Sequence, residues 1–154
     1  MDEGCPGSRT LDLREGKDKD EPAGVRVKSQ LQQWPIQLRL VSPAAPYYEG
    51  ADVLLTADCV AYALGNFHTD YLKGKSIAIA CPKLDEGQDT YVQKIKALLE
   101  DAKVNTLTVM IMQVPCCMGL VNLAQQAVKD SKRKAPVKSI VVGIQGEILS
   151  EEWI

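Results

Sequence analysis

The stretch from Thr106 to Val128, TLTVMIMQVPCCMGLVNLAQQAV, decides the fold. Its first part, Leu107 to Gln113, is an apolar run of strand length, and Val114-Pro115 ends it. After Met118 the period changes: Leu120, Val121, Ala124, Ala127 and Val128 fall on one helical stripe. A buried strand that passes through a short turn into an amphipathic helix is half of a βαβ unit. Two adjacent cysteines, Cys116 and Cys117, occupy the turn. Open α/β sheets bind ligands outside the carboxyl ends of their strands, so these thiols sit where such a fold carries chemistry.

The alternation repeats on both sides of this unit. Strands are expected at Ile36 to Val41, Asp52 to Ala57, Ser76 to Ala80 and Val137 to Ile144, with helices over Gln88 to Ala102 and Met118 to Ser131. Val60 to Leu72 reads as broken helix, with Asn66 as an N-cap and Lys73-Gly74 as the stop. Lys129 to Lys134 places positive charge at the carboxyl end of the last helix, as its dipole favours. A Gln145-Gly146 turn and a short tail follow. Nearly continuous apolar strands alternating with helices imply a mostly parallel sheet covered on both faces. The expectation is a three-layer α/β domain, Rossmann- or flavodoxin-like, with about five strands and right-handed crossovers. Residues 1–28, rich in Gly, Pro and charge, read as a flexible arm or linker, and 29–154 as a single domain.

The chain has 154 residues, 45% hydrophobic, enough to bury a core without a metal or disulfide. A net charge of −2 and 5% aromatic residues argue against a nucleic-acid surface, whether basic or base-stacking. No apolar run approaches the roughly 20 residues that cross a bilayer, and the polar N-terminus has no secretory apolar core. A cytoplasmic location is expected, where thiols stay reduced. The five cysteines then read as thiols or metal ligands rather than a disulfide framework.

Cys59, Cys81 and the Cys116-Cys117 pair each follow an apolar strand directly. Neighbouring strands lie about 4.8 Å apart, so thiols at three adjacent strand ends suit an iron–sulfur cluster or zinc. Each cysteine also fits as a small buried hydrophobe. A third reading makes Cys116 or Cys117 a reactive thiolate at the start of the following helix. His68, the lone histidine, lies after the same strand as Cys59 and is the candidate base for a Cys–His pair. Asp58 and Asp85, near strand ends, read as helix caps or hydrogen-bond acceptors. Neither G-x-G-x-x-G nor G-x-x-x-x-G-K-S/T occurs, which argues against a nucleotide site of either glycine-rich type.

Several phrases together resemble a known family: GCPGSR (Gly4–Arg9), SQLQQWPIQLRLV (Ser29–Val41), GADVLLTADCVAYA (Gly50–Ala63), NFHTDYLKGK (Asn66–Lys75), CPKLD (Cys81–Asp85) and VPCCMGL (Val114–Leu120). They are similar to the C-terminal domain of ferredoxin-like 4Fe-4S iron–sulfur cluster-binding proteins of bacteria, mostly anaerobes. In that family a ferredoxin module with repeated C-x-x-C-x-x-C-x-x-x-C-P motifs precedes the domain. The present sequence carries no such motif, which makes it a fragment or a stand-alone version of the domain. The cysteine pair of the family is usually followed by glycine; here Met118 intervenes. The resemblance implies an iron–sulfur redox accessory role in electron transfer, with a ferredoxin or other redox protein as partner. Cys59, Cys81, Cys116 and Cys117 are then the candidate ligands, with Cys5 as an outlier on the arm. The rival expectations are a metal-free partner-binding domain and a thiol-reactive protein.

Overall fold

The computed structural model describes residues 11–14 and 26–154, the side chain of Cys116 excepted. The GCPGSR segment, Cys5 and most of the expected arm lie outside the described residues. Five strands form one sheet: β1 (Asp52–Ala57), β2 (Ser76–Ala80), β3 (Thr106–Met112), β4 (Val137–Val142) and β5 (Ile148–Trp153). Their spatial order is β2-β1-β3-β4-β5, parallel throughout except for antiparallel β5. Three helices connect them: α1 (Val60–Ala63), α2 (Gln88–Glu100) and α3 (Met118–Asp130). A π-helical turn, Phe67–Leu72, follows α1. The broken helix expected over this crossover is therefore present as two short pieces.

Three of the parallel strands are shielded almost completely because their sequences are apolar on both faces, as in Leu107 to Met112 of β3. The chain runs from β1 outward to β2, then back across β1 to β3 and on to β4. With right-handed crossovers, this order sends α2 and α3 to one face and α1 with the π-helical turn to the other. The packing of α2 against α3 agrees. Tyr91, Val92, Ile95, Leu98 and Leu99 form the buried stripe of α2; Leu120, Val121, Leu123, Ala124 and Ala127 form that of α3. Lys134 Nζ donates to the carbonyls of Val128 and Ser131 and closes α3, as its basic end predicts.

Two expectations fail. Ile36 to Val41 is not a strand: Gln37 makes a single parallel bridge to Ile79, and the chain then turns back on itself. Lys94 Nζ holds that turn by donating to the carbonyls of Leu38, Arg39 and Val41 at 2.7–2.9 Å. The C-terminal tail, in contrast, is a strand. A hairpin joins β4 to β5 through Gly143–Glu147, with Gly146 at φ +89° as its left-handed residue. A Cβ at Gly146 would also meet the Ala63 carbonyl oxygen at 2.5 Å, so glycine is required there twice over.

The free edge of β2 is covered by residues 33–38, of which the apolar pattern singles out only Ile36 onward. Ile79 exchanges backbone hydrogen bonds with Ile36 and Leu38, both at 2.8 Å. One register step away, the buried Gln33 side chain takes the place of a neighbouring strand. Its Oε1 accepts from Ile77 N (2.7 Å), and its Nε2 donates to Ile77 O (2.8 Å) and Tyr48 Oη (3.0 Å). Tyr48, itself fully buried, also donates to Ile77 O (2.8 Å), and burial pushes its phenol up to about 12. An exposed strand edge is thereby closed without a further strand.

Candidate functional site

The carboxyl edge of the sheet gathers the cysteine-bearing turns. Ala57 of β1 pairs with Ala80 of β2, so Asp58-Cys59 and Cys81-Pro82 leave adjacent strands side by side. The third turn, Pro115–Cys117, is 3-10 in conformation and feeds α3. β3 is separated from β2 by β1, yet its turn reaches across: a Cβ on Gly119 would lie 3.0 Å from the Pro82 Cβ. The first turn of α3 therefore packs on the Cys81-Pro82 turn, and the carboxyl ends of β1, β2 and β3 share one edge of the sheet.

Each turn is held by its own polar contacts. Asp85 Oδ2 accepts from Cys81 N (3.0 Å) and from the Tyr91 hydroxyl (2.7 Å), anchoring the CPKLD segment to α2. The same segment closes through Leu84 N and Asp85 N, both donating to Cys81 O, while Gln88 Nε2 donates to Pro82 O at 2.7 Å. Asp85 thus braces a turn rather than capping a helix. Cys117 N donates to Val114 O (3.1 Å) and sets the 3-10 turn.

The thiols differ in setting. Cys59 is exposed, Cys81 half-buried and Cys117 buried. Partial burial pushes the Cys59 thiol up, and the neighbouring Asp58 carboxylate and the Cys81 thiol add to the rise. Cys59 and Cys81 are therefore close enough to feel each other's charge. A thiol raised in this way is a poor nucleophile at neutral pH. Among the described residues, no three His, Cys, Asp or Glu side chains are gathered closely enough to hold a metal ion. The side chain of Cys116, the remaining candidate of this edge, lies outside the described residues.

Asp58 caps nothing. Helix α1 has no side-chain cap, and Asp58 Oδ1 is buried without a hydrogen-bond partner among the described residues. An unmet buried acceptor costs about 1–3 kcal/mol. Desolvation first, and the Asp85 carboxylate second, push the Asp58 carboxyl up. Because its folded value exceeds its unfolded one, the group destabilises the fold as pH rises above the unfolded value, and is neutral to stability below it. Asp58→Asn should raise Tm by about 1–2 °C at pH 7 and leave it unchanged near pH 3. A loss of Tm at pH 7 would contradict this account of the site.

Among the described residues, His68 is not paired with a cysteine. Its Nδ1 accepts from Gln30 N at 3.0 Å, which occupies the ring's acceptor and leaves Nε2–H as its donor. His68 and Asp58 both line a cavity of about 330 Å³ under the π-helical turn, on the face opposite α2 and α3. Sequence reasoning placed neither residue there. The signal was the polar pair itself, one residue at a strand end and the other in the following crossover.

A family model for a Rossmann-like domain matches residues 45–154. An uncharacterized protein of Archaeoglobus fulgidus is 27% identical over 121 residues, covering 77% of this chain and 83% of its own. No solved structure matches the chain. Among the described residues, no helix is long and apolar enough to cross a membrane.

Proposed function

The chain belongs to the Rossmann-like domain family, and from that premise we propose that it is an iron–sulfur redox accessory domain whose ligands are the strand-end cysteines. One observation carries the reading: three cysteine-bearing turns from three strands meet at one edge, with Cys59 and Cys81 within electrostatic reach. Cys59, Cys81 and Cys117, with Cys116 from the same turn, would have to draw together to hold the cluster, since the three described thiols do not lie close enough to share a metal ion as they stand. Thiols suit iron–sulfur binding and also suit zinc; the resemblance of the sequence phrases favours iron and sulfide.

Such a cluster would supply one-electron transfer. The chain's own residues set its surroundings. Asp85 fixes the Cys81 backbone, and the Gly119–Pro82 contact fixes the α3 turn against it. Desolvation first, and the Asp58 carboxylate second, raise the Cys59 thiol; iron at this turn would favour its thiolate form. The proposed setting is the reducing cytoplasm, and the proposed partner a ferredoxin or another redox protein.

Differential alkylation tests the assignment. In protein reconstituted with iron and sulfide without air, Cys59 and Cys81 should be protected from iodoacetamide and should become reactive after chelation, whereas the buried Cys117 is shielded in either state. Equal labelling before and after chelation favours the metal-free alternative, a partner-binding domain in which the cysteines pack. One cysteine of the Cys116-Cys117 pair reacting far faster than the others would favour the thiol-reactive alternative.

A further inference from the structure

We propose that the cavity beneath the π-helical turn is a binding site for a small, largely apolar molecule carrying an N–H or O–H donor, held by Asp58 and His68. This site adjoins the cysteine edge at Asp58, next to Cys59, and its argument does not depend on a bound cluster. Its volume, about 330 Å³, falls at the lower end of ligand pockets, about 300–1,000 Å³. Leu31, Phe67, Leu72, Ile77 and Ile79 supply apolar walls from the β2 edge, the π-helical turn and the N-terminal segment. Few polar groups interrupt them. Besides Thr56, whose hydroxyl donates to Ala57 O, and the largely exposed Tyr62, the polar lining is Asp58 and His68, which are the groups placed to orient a ligand.

The two groups have complementary demands. Asp58 carries a buried oxygen with no partner, and its terminal torsion is broad, so a small rotation presents that oxygen to the cavity. It calls for a donor. The Gln30 N–H contact at His68 Nδ1 leaves Nε2–H as the donor of the ring, so His68 calls for an acceptor. A flat heterocycle with both on its edge satisfies the pair. An anion is disfavoured, because the Asp58 carboxylate itself lines the cavity. The Rossmann-like fold therefore offers here a site for a neutral or cationic heterocycle rather than for a phosphate.

Benzimidazole, which carries a donor, an acceptor and an apolar ring, is the probe. Titrated into the full 15N-labelled chain, it should give saturable shifts at Phe67, His68, Ile77 and Ile79. 1-Methylbenzimidazole, which lacks the donor, and the Asp58→Ala variant should each weaken binding about tenfold. Ala61→Trp, at the wall of the cavity, should abolish it with the rest of the spectrum unchanged. Benzoate should not bind. Absence of saturable shifts with benzimidazole, equal affinity in Asp58→Ala, or equal binding of benzoate would overturn the proposal. Metal content plays no part in this readout, so its failure leaves the cysteine assignment untouched.

Discussion

Replacing Gln33 with alanine is expected to lower stability by about 2–4 kcal/mol, a fall in Tm of roughly 10 °C for a chain of this size. The side chain is almost fully buried and supplies both hydrogen-bonding partners that an adjacent strand would give Ile77. After truncation the Ile77 carbonyl keeps the Tyr48 hydroxyl, but the Ile77 N–H has no partner and a void opens beside it. Gln33→Glu separates the two contributions. It retains the acceptor for Ile77 N but sets a buried carboxylate oxygen against the carbonyls of Ile77 and Pro35. It should be at least as destabilising as Gln33→Ala at pH 7 and milder at low pH, where the protonated acid can donate. Urea unfolding measures both. A change within 0.5 kcal/mol for Gln33→Ala, the range of ordinary surface substitutions, would mean that the β2 edge does not depend on this residue.

The second large effect concerns the cysteines. Cys81→Ser should abolish iron and sulfide retention after anaerobic reconstitution, because the turn that packs against α3 and lies beside Cys59 loses its soft donor. The serine oxygen is a hard ligand and a poor replacement. Cys59→Ser should lower retention strongly, and Cys117→Ser should do so with an added packing loss, since that residue is buried against the core. Asp85→Asn is the informative companion. It loosens the Cys81 turn by weakening the bonds from Cys81 N and Tyr91 while leaving every thiol in place. Retention should then become labile rather than vanish. Full retention in Cys81→Ser would remove Cys81 from the ligand set.

Much of the architecture was legible because parallel strands buried on both faces leave long apolar runs that need no alternation to be seen. VLLTA, SIAIA and TLTVMIM are each recovered within a residue of their observed ends. The two misread segments show the limit of that signal. Ile36 to Val41 alternates like a half-buried strand, yet after one bridge its carbonyls are taken by Lys94, a partner 53–56 positions away. ILSEEW shows no alternation because β5 lies at the sheet's edge and is exposed on both faces, so nothing selected a pattern. It is a strand through the Gly143–Glu147 hairpin and its pairing with β4, including the Lys138–Glu151 ion pair and Lys138 over the Trp153 ring at 5.2 Å.

The site divides in the same way. Cysteines at strand ends can be read from order alone, because a parallel sheet fixes which turns share an edge. The packing of Gly119 on Pro82, which carries the third turn over β1, requires the tertiary structure. Asp58 looks like a cap by position and is instead an unpartnered acceptor beside a cavity. Gln33, one of three glutamines in SQLQQWP, has no local signal; only the unpaired edge of β2 reveals its role.

The measurement that tests the central claim most directly is the iron, zinc and acid-labile sulfide content of the protein purified without air, with its visible spectrum. The account predicts iron and sulfide in matching amounts, with broad absorption near 400 nm that is bleached by dithionite. Zinc without sulfide, or no metal even after anaerobic reconstitution, would contradict it.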